Sequence, residues 1–266
     1  MVTTAPTVRN VREMVKTPVL RLSGVGKRFG AVQALAEVDF DVNAGEVLAL
    51  VGDNGAGKST LIKCMAGIHP IDSGQIEFEG KPVTFRSPKD PAHLGISTVY
   101  QDLALCDNLD VVANLYLGRE ELDGTRLIDE VAMEKRAIEV LRNLAVSIPH
   151  VRTLIASLSG GQRQSVAIAR AVMWDAKLVM LDEPTAALGV AQTRQVLDLI
   201  KRLRDQGLAV VVISHNMADV FEVADRITVL RLGRLVGNFS VKDVTREQII
   251  GAMTGAWKPN DERKGE

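Results

Sequence analysis

The sequence predicts an α/β fold of three layers, in which helices pack on both sides of a central sheet. Short, continuous apolar runs at residues 46–51, 178–181 and 208–213 are typical of strands buried on both faces of a parallel sheet. Helical stretches separate these runs, and such alternation builds a layered α/β core. Between residues 102 and 174 the pattern changes to helical periodicity with no convincing strand, which predicts an inserted helical subdomain.

The remaining elements follow from alternation and turn residues. Val38, Phe40 and Val42 alternate with polar residues, as in a half-buried strand. A turn at residues 80–82 and a second at Gly233 each divide a predicted hairpin. The predicted strands, besides those above, lie at residues 19–22, 37–42, 76–79, 83–85, 96–100, 227–230 and 234–239, and helices are predicted at residues 59–65, 133–144, 190–206 and 245–253.

Composition restricts the class of protein. The 266 residues are 46% hydrophobic and 24% charged, which is ordinary for a globular domain. The net charge is −1 and no tract of clustered lysine and arginine occurs, which disfavours a nucleic acid partner. No apolar run approaches the roughly 20 residues of a membrane-spanning helix. Cys64 and Cys106 fit no metal-ligand spacing and are predicted to be reduced thiols.

The strongest local signal is a glycine-rich loop between the strand at 46–51 and the helix at 59–65. It matches the pattern G-x-x-x-x-G-K-[ST], whose backbone N–H groups point at phosphate oxygens beside a positive helix N-terminus. Lys58 is placed to reach the β- and γ-phosphates, and the Ser59 hydroxyl to ligate Mg²⁺. The alternative is a chance glycine-rich turn. The loop comprises Gly52, Asp53, Asn54, Gly55, Ala56, Gly57, Lys58, Ser59 and Thr60.

A pair of acids, Asp182 and Glu183, ends the strand at 178–181. Ligands of open α/β sheets bind at the carboxyl ends of the strands, so the pair is predicted to lie at a site. Asp182 is placed to hold Mg²⁺ through water, and Glu183 to polarise an attacking water. Alone, such a pair is more often a surface turn, and only the phosphate loop favours the functional interpretation.

Residues 158–162, Leu-Ser-Gly-Gly-Gln, predict a helix start. Ser159 is expected to cap the helix, and Gln162 completes an S-x-x-Q capping box. Gly160 and Gly161 are expected to leave backbone N–H groups open to an anion at the positive helix end. By itself such a segment is more often an ordinary capped helix.

With these motifs in this order, the sequence resembles the ABC transporter ATPase family from about residue 19 to residue 239. The phosphate loop, the signature at residues 158–162 and the Walker B strand at residues 178–183 carry the resemblance. Gln101 matches the Q-loop residue that senses Mg²⁺ and touches the permease. His215 matches the switch histidine at the γ-phosphate, and Phe29 matches the aromatic that stacks on adenine, although a core position for Phe29 stays open.

The resemblance implies a P-loop NTPase (RecA-like) core with an antiparallel β subdomain and an inserted α-helical subdomain. It places an ATPase domain at residues 18–256, with the helical subdomain at about 102–174, a flexible tail at 1–17 and a polar tail at 257–266. Motif and resemblance together assign catalysis to Lys58, Glu183 and His215, nucleotide contacts to Phe29, Gly52, Asp53, Asn54, Gly55, Ala56, Gly57, Lys58, Ser59, Thr60, Gln101, Ser159, Gly160, Gly161 and Gln162, and Mg²⁺ contacts to Ser59, Gln101 and Asp182.

The resemblance also implies a head-to-tail dimer that binds ATP and Mg²⁺. Each ATP is expected between the phosphate loop of one subunit and Ser159, Gly160 and Gly161 of the other. The expected partners are a second copy of the domain, transmembrane permease subunits and, indirectly, a solute-binding protein, with no nucleic acid. The implied location is the cytoplasmic face of the inner membrane, as a peripheral subunit.

One position departs from the family pattern. Gly189 stands where many members have the D-loop aspartate that couples the two sites. The run at residues 184–189 and the ending at residues 248–255 are similar to the monosaccharide importer ATPases for ribose, xylose or fructose. Most of those ATPases carry two fused domains, whereas this chain is expected to hold one, and in this it resembles the single-domain fructose-type importers.

Two other classes of function remain open alternatives. A non-transport ABC ATPase acting on nucleic acid or ribosomes tends to have coiled-coil insertions, two ATPase domains or a basic face, which this sequence lacks. A regulatory module that binds ATP without hydrolysis is disfavoured by the presence of Lys58, Glu183 and His215.

Overall fold

The computed structural model describes residues 17–257. The predicted tails at 1–17 and 257–266 lie, except for Thr17 and Trp257, outside the described residues. The strands are β1 (Leu20–Phe29), β2 (Val32–Val42), β3 (Val47–Val51), β4 (Ser73–Phe78), β5 (Lys81–Val83), β6 (Ile96–Val99), β7 (Leu178–Asp182), β8 (Ala209–Ile213), β9 (Arg226–Arg231) and β10 (Arg234–Ser240). The helices are α1 (Lys58–Met65), α2 (Lys89–His93), α3 (Val111–Tyr116), α4 (Glu130–Asn143), α5 (Gly160–Val172), α6 (Val190–Asp205), α7 (Met217–Val223) and α8 (Arg246–Thr254).

Two sheets organise the described chain. The central sheet has the order β10-β9-β3-β8-β7-β6, and it is parallel throughout except for the antiparallel pair of β9 and β10. The second sheet is antiparallel, with the order β2-β1-β4-β5. Since β3, β8 and β7 are neighbours and run in one direction, the segments that follow them meet at one edge of the central sheet.

The core lies on both faces of the central sheet. Val179 and Leu181 of β7 face one hydrophobic cluster, which also contains residues of α3 to α6. Leu178 and Met180 face a second cluster, which contains residues of α1 and of the antiparallel sheet. The strand β7 is therefore buried on both sides, as its continuous apolar run predicts. The layered α/β fold predicted from the sequence is confirmed.

Helices account for most of the regular structure between β6 and β7. Asp110 caps α3, accepting a 2.7 Å hydrogen bond from the Ala113 N–H, and Asp129 caps α4. The strand-like pairings in this described segment are two isolated bridges, Asp110 with Leu154 and Leu122 with Ile128. The bounds 102–174 for a separate helical subdomain stay a prediction.

Several element boundaries differ from the sequence prediction, and at β2 and at the β4–β5 turn the backbone shows the reason. The β2 strand begins at Val32 rather than at residue 37. Glu37 has a left-handed φ of 52°, which interrupts the alternation of buried and exposed side chains within the strand. The alternation in the sequence therefore reveals only the later part of β2. The turn between β4 and β5 comprises only Glu79 and Gly80, both at positive φ, as in tight two-residue hairpins. Pro82 lies within β5, where proline is tolerated because β5 is an edge strand.

Among residues 17–257, no helix is both long and apolar enough to cross a membrane. Cys64 and Cys106 are both free thiols, as predicted. Burial raises the pKa of the Cys64 thiol to about 11, so that it stays protonated at neutral pH.

Candidate functional site

The glycine-rich loop joins β3 to α1, where the sequence predicts it. Gly52 and Gly57 have φ values of 154° and 105°. A Cβ atom at Gly52 would collide with the carbonyl oxygen of Leu230, and one at Gly57 would lie 2.9 Å from that of Ala34. Both glycines are therefore required by close backbone approach, and at Gly57 by the left-handed conformation as well.

Lys58 begins α1 and folds back over the loop. Its Nζ donates hydrogen bonds to the carbonyl oxygens of Gly52 and of Asp53, the latter at 3.0 Å. Burial lowers the pKa of Lys58, while attraction to Glu183, Asp53 and Asp182 opposes that change. The ammonium thus lies in a partly desolvated position where a phosphate oxygen is a stronger acceptor than a carbonyl.

A cavity of about 390 Å³ lies against the phosphate loop. Two segments outside the motif complete its wall, the start of β2 and the tip of the β9–β10 hairpin. The Gly233 N–H donates to the Ala56 carbonyl at 2.9 Å, so that the hairpin tip supports the loop. Sequence reasoning missed both segments, because neither carries a local signal for phosphate. The lining residues are Val32, Gln33, Ala34, Asn54, Gly55, Ala56, Gly57, Lys58, Ser59, Thr60, Leu232 and Gly233.

The acid pair lies at the carboxyl end of β7. Asp182 is the last residue of the strand, and Glu183 follows with a left-handed φ of 50°, which is unusual for a residue with a side chain. The Glu183 N–H donates to the Ile213 carbonyl of the neighbouring β8 at 2.9 Å. Burial raises the pKa of Asp182, and repulsion from Glu183 raises it further.

His215 follows β8 and contacts Glu183. Its Nδ1 lies 2.8 Å from the Glu183 Oε1. The imidazole is 76% exposed and the Glu183 side chain only 17%, so the histidine covers the carboxylate on the solvent side. The structure thus brings together two of the predicted catalytic residues, each just beyond the end of one of two adjacent strands of the sheet.

Ser159 begins α5 with the predicted capping box. Its hydroxyl accepts a 3.3 Å hydrogen bond from the Gln162 N–H, and its own N–H donates at 3.0 Å to the Gln162 Oε1. Gly161 was expected to leave its backbone N–H open to an anion, but the structure gives another reason for a glycine at this position. Gly161 is buried, and a Cβ atom there would lie 2.9 Å from the Cβ of Gln192 on α6. Gly160 is exposed.

The Ser159 segment does not share the phosphate-loop cavity. None of the described residues that line that cavity belongs to residues 159–162. The neighbours of this segment are instead Ser147, Leu188 and Gln192 of the same chain. Within one chain the phosphate loop and the Ser159 helix start are therefore separate.

Phe29 ends β1 beside the loop that follows α1. Its ring is 44% exposed, so the alternative of a core position is wrong. The ring makes an edge contact with His69, with centroids 5.1 Å apart, and the Lys27 Nζ lies 5.5 Å from its centroid. Phe29 does not line the phosphate-loop cavity, and its stacking on adenine stays a prediction.

The predicted magnesium ligands are oxygen donors, which suit a hard cation. Ser59 and Gln101 are exposed, and Asp182 is partly buried beside Glu183. A cation would relieve the repulsion that raises the pKa of Asp182, so this donor set fits Mg²⁺. Within residues 17–257 no group of three or more histidine, cysteine or acidic side chains could hold a metal ion by itself.

Gly189 is the N-cap residue of α6. Its N–H donates to the Gln192 Oε1 at 3.2 Å, and its φ of −73° is open to any residue. A Cβ atom there would meet no atom within 4 Å. The fold of the single chain therefore does not require glycine at this position.

A model of the ABC transporter family matches residues 35–186. The chain is also 48% identical to the fructose import ATP-binding protein FrcA of Rhizobium meliloti, over 92% of this chain and 97% of that protein. It is 47% identical to the xylose/arabinose import ATP-binding protein XylG of Sulfolobus acidocaldarius, over 89% of this chain and 94% of that protein. The chain therefore belongs to the ABC transporter family.

A ribose import ATP-binding protein, RbsA of Caldanaerobacter subterraneus, is 40% identical over 90% of this chain, which spans only 48% of that longer relative. Among solved structures, an ATP-binding cassette of an ABC transporter in its ADP conformation matches with a TM-score of 0.76 and 28% identity, over 94% of this chain and 99% of that chain. A dimeric cassette bound to ADP and Pi matches with a TM-score of 0.69 and 25% identity, over 85% of this chain and all of that chain.

Proposed function

We propose that this chain is the ATP-hydrolysing subunit of an ABC importer for a monosaccharide. One observation carries the proposal. The parallel neighbours β3, β8 and β7 end at one edge of the sheet, and the segments that follow them supply Lys58, His215 and the pair Asp182 and Glu183. A phosphate cradle, a histidine and two carboxylates at one sheet edge form the set that phosphoryl transfer to water needs.

In this proposal the phosphate loop binds the triphosphate, and Lys58 exchanges its carbonyl acceptors for phosphate oxygens. Ser59, Asp182 and Gln101 would hold Mg²⁺, which neutralises charge on the phosphates. Glu183 accepts a hydrogen bond from the attacking water and orients it. His215, 2.8 Å from the Glu183 carboxylate, holds that carboxylate in place and reaches toward the γ-phosphate.

Two copies of the chain are proposed to complete each site. The separation of the Ser159 helix start from the phosphate-loop cavity within one chain supports this arrangement. The capped N-terminus of α5 offers N–H groups and a positive dipole end to the triphosphate held by the second copy. The match to a dimeric cassette is consistent with such a pair.

The permease is proposed to dock in a groove of about 410 Å³ between β6 and the helices that follow it. Tyr100 and Asp102, which flank Gln101, line this groove. Trp174 forms part of its wall, and its ring packs edge to face on Tyr116, with centroids 5.5 Å apart. A permease segment in this groove would contact both the sheet edge near the nucleotide and the helical region.

This docking would hold the chain on the cytoplasmic face of the cell membrane as a peripheral subunit. The solute-binding protein would act on the permease from the other side. The relatives named for fructose, xylose or arabinose, and ribose import support a monosaccharide as the solute. Uptake of labelled fructose, ribose and xylose by cells with and without the gene would identify which of these sugars is carried.

ATP hydrolysis by Glu183→Gln tests the enzymatic part of the proposal. The variant keeps the phosphate loop, so we expect unchanged ATP affinity, a much lower kcat and an accumulated closed dimer. Equal turnover in variant and parent would remove Glu183 from its proposed role. Reconstitution with the candidate permease should raise the turnover of the parent, which an ATPase acting on nucleic acid would not show.

Ser159→Arg tests the shared site. We expect the monomer to bind ATP as the parent does, while turnover is abolished, because the serine serves the other subunit's nucleotide. Thr245→Arg is a matched control, since Thr245 caps α8 with the same kind of capping box to Gln248. The control should lose similar stability and keep its turnover. Loss of ATP binding by the Ser159→Arg monomer would contradict the shared site.

A further inference from the structure

The segment that carries Glu183 is tied to the segment that carries His215 by more than the contact between these two residues. The Glu183 N–H donates to the Ile213 carbonyl at 2.9 Å. Thr185 lies two residues after Glu183, and Asp219 lies four residues after His215. The Thr185 hydroxyl donates to the Asp219 Oδ2 at 2.6 Å. Thr185 and Asp219 are 34 positions apart in the chain. This short side-chain bond has no part in the phosphate loop or in the signature.

Asp219 is in an unusual situation for an acid in the first turn of a helix. It lies three residues after Asn216, the N-cap residue of α7, where an acidic side chain often reaches back to the N-cap N–H. That N–H is already bonded to the Ser214 hydroxyl at 3.0 Å. The Asp219 side chain points instead at Thr185, and Asp219 is only 8% exposed. A buried carboxylate needs such a hydrogen-bond partner, and the Thr185 hydroxyl supplies it.

The backbone conformation of Glu183 indicates what the bond between Thr185 and Asp219 stabilises. Its left-handed φ of 50° is unfavourable for a residue with a side chain, and such a conformation persists only when the surroundings impose it. The bond to Ile213 holds the Glu183 amide on one side, and the bond from Thr185 holds the chain two residues later. Together they fix the direction in which the Glu183 carboxylate points.

We propose that Thr185 and Asp219 are positioning residues for ATP hydrolysis, whose hydrogen bond holds the Glu183 carboxylate beside His215. The proposal rests on the proposed role of Glu183. Neither residue contacts the reacting atoms. Their bond fastens the segment after β7 to helix α7, so that loss of the bond lets Glu183 leave the orientation needed to polarise water.

The test is the steady-state kinetics of Thr185→Val, which keeps the shape of the side chain and removes the donor. We expect kcat to fall about 10- to 100-fold, because small displacements of a catalytic group have effects of that size. The KM for ATP and the ATP affinity should stay unchanged, since the phosphate loop is not touched. Thr185→Ser, which keeps the hydroxyl, should restore kcat to within about 2-fold of the parent.

Asp219 variants approach the same bond from the other side and serve if Thr185→Val fails to fold. Asp219→Asn keeps an oxygen acceptor for the Thr185 hydroxyl and should retain most of kcat. Asp219→Ala should lose as much as Thr185→Val, and the double variant should lose no more than either single one. Additive losses in the double variant would show that the two residues act independently and would overturn the proposal.

Thr228→Val is a matched control. Thr228 is buried on β9, and its hydroxyl donates to the Asn238 Oδ1, also at 2.6 Å. The control should lose comparable stability and keep its kcat. If Glu183→Gln abolishes turnover while folded Thr185→Val hydrolyses ATP like the parent, the positioning proposal is wrong and the proposed function stands. If Glu183→Gln hydrolyses ATP as fast as the parent, the proposed catalytic role of Glu183 is wrong, and the positioning proposal that rests on it is wrong as well.

Discussion

Replacing Gly161 with alanine is expected to destabilise the isolated chain in the absence of nucleotide. Gly161 lies in the first turn of α5, where alanine would ordinarily improve a helix. The structure places its Cα against α6, and an added Cβ would lie 2.9 Å from the Cβ of Gln192 and 3.2 Å from its Cα and Cγ. Carbon atoms prefer separations of about 3.5–4.0 Å, so the two helices must move apart.

The size of the effect follows from two opposing contributions. Overpacking of this kind costs about 1–3 kcal/mol, and the better helix propensity of alanine returns up to about 1 kcal/mol. A net loss of about 1 kcal/mol lowers the unfolding temperature of a chain of this size by about 2–4 °C. The loss should be present in dilute monomer, because both helices belong to one chain.

Gly160→Ala is the matched control for this substitution. A Cβ atom at Gly160 would lie 3.0 Å from the Leu188 Cδ2, the end of a side chain that can rotate away. We expect this variant to be as stable as the parent or slightly more stable. The assay is thermal unfolding followed by circular dichroism without nucleotide. If Gly161→Ala proved as stable as Gly160→Ala, the packing of α5 on α6 could not be the reason for this glycine.

Substitutions at three further positions test the site. Burial raises the pKa of Asp182 above its unfolded value, so its charge destabilises the folded chain at neutral pH. Asp182→Asn should therefore raise the free energy of unfolding in urea by about 0.5–2 kcal/mol at pH 7. This gain should shrink as the pH falls through the raised pKa and disappear below about pH 3, where the carboxyl is protonated in both states. Glu183→Gly should be more stable than Glu183→Ala by about 1 kcal/mol in urea unfolding, because both variants lose the carboxylate and only glycine tolerates the left-handed φ. Equal stability of the two variants would contradict a strained backbone at position 183. Gly189→Asp should fold with a stability within about 0.5 kcal/mol of the parent by thermal unfolding, since the position is open and aspartate is a good N-cap residue. A larger loss of stability would show that the fold requires glycine at this position.

The parts of the site that sequence reasoning predicted are those that depend on near neighbours in the chain. The capping box of Ser159 and Gln162 spans three residues, and the phosphate loop depends on glycines within a few positions of Lys58. Spacing of that kind fixes geometry without knowledge of the rest of the fold. Glu183 was predicted to lie at the carboxyl edge of the sheet, and the family resemblance placed His215 at the γ-phosphate. Their mutual contact was not predicted, and it follows from the meeting of adjacent parallel strands at one sheet edge.

The contacts that sequence reasoning missed join distant parts of the chain. The support of Ala56 by Gly233, the packing of Gly161 on Gln192 and the bond from Thr185 to Asp219 all depend on the register of elements far apart in sequence. No local pattern distinguishes Thr185 from any other threonine in a loop. The left-handed φ of Glu183 is equally hidden, because glutamate is not a residue that predicts it.

The glycines of the site separate into two groups, and the difference bears on the substituted D-loop position. A side chain at Gly52, Gly57 or Gly161 would force neighbouring backbone or a packed helix to move. The fold of the single chain therefore explains why these three residues are glycine. Gly189 is exposed, has an ordinary backbone conformation and faces open space. The fold of the single chain therefore does not explain why this residue is glycine. The family resemblance implies that this D-loop position couples the two sites across the proposed dimer, so we expect the reason for glycine at position 189 to lie in the contact between subunits rather than in the fold. Comparing the ATP dependence of turnover in Gly189→Asp and in the parent, at equal stability, measures that contact directly.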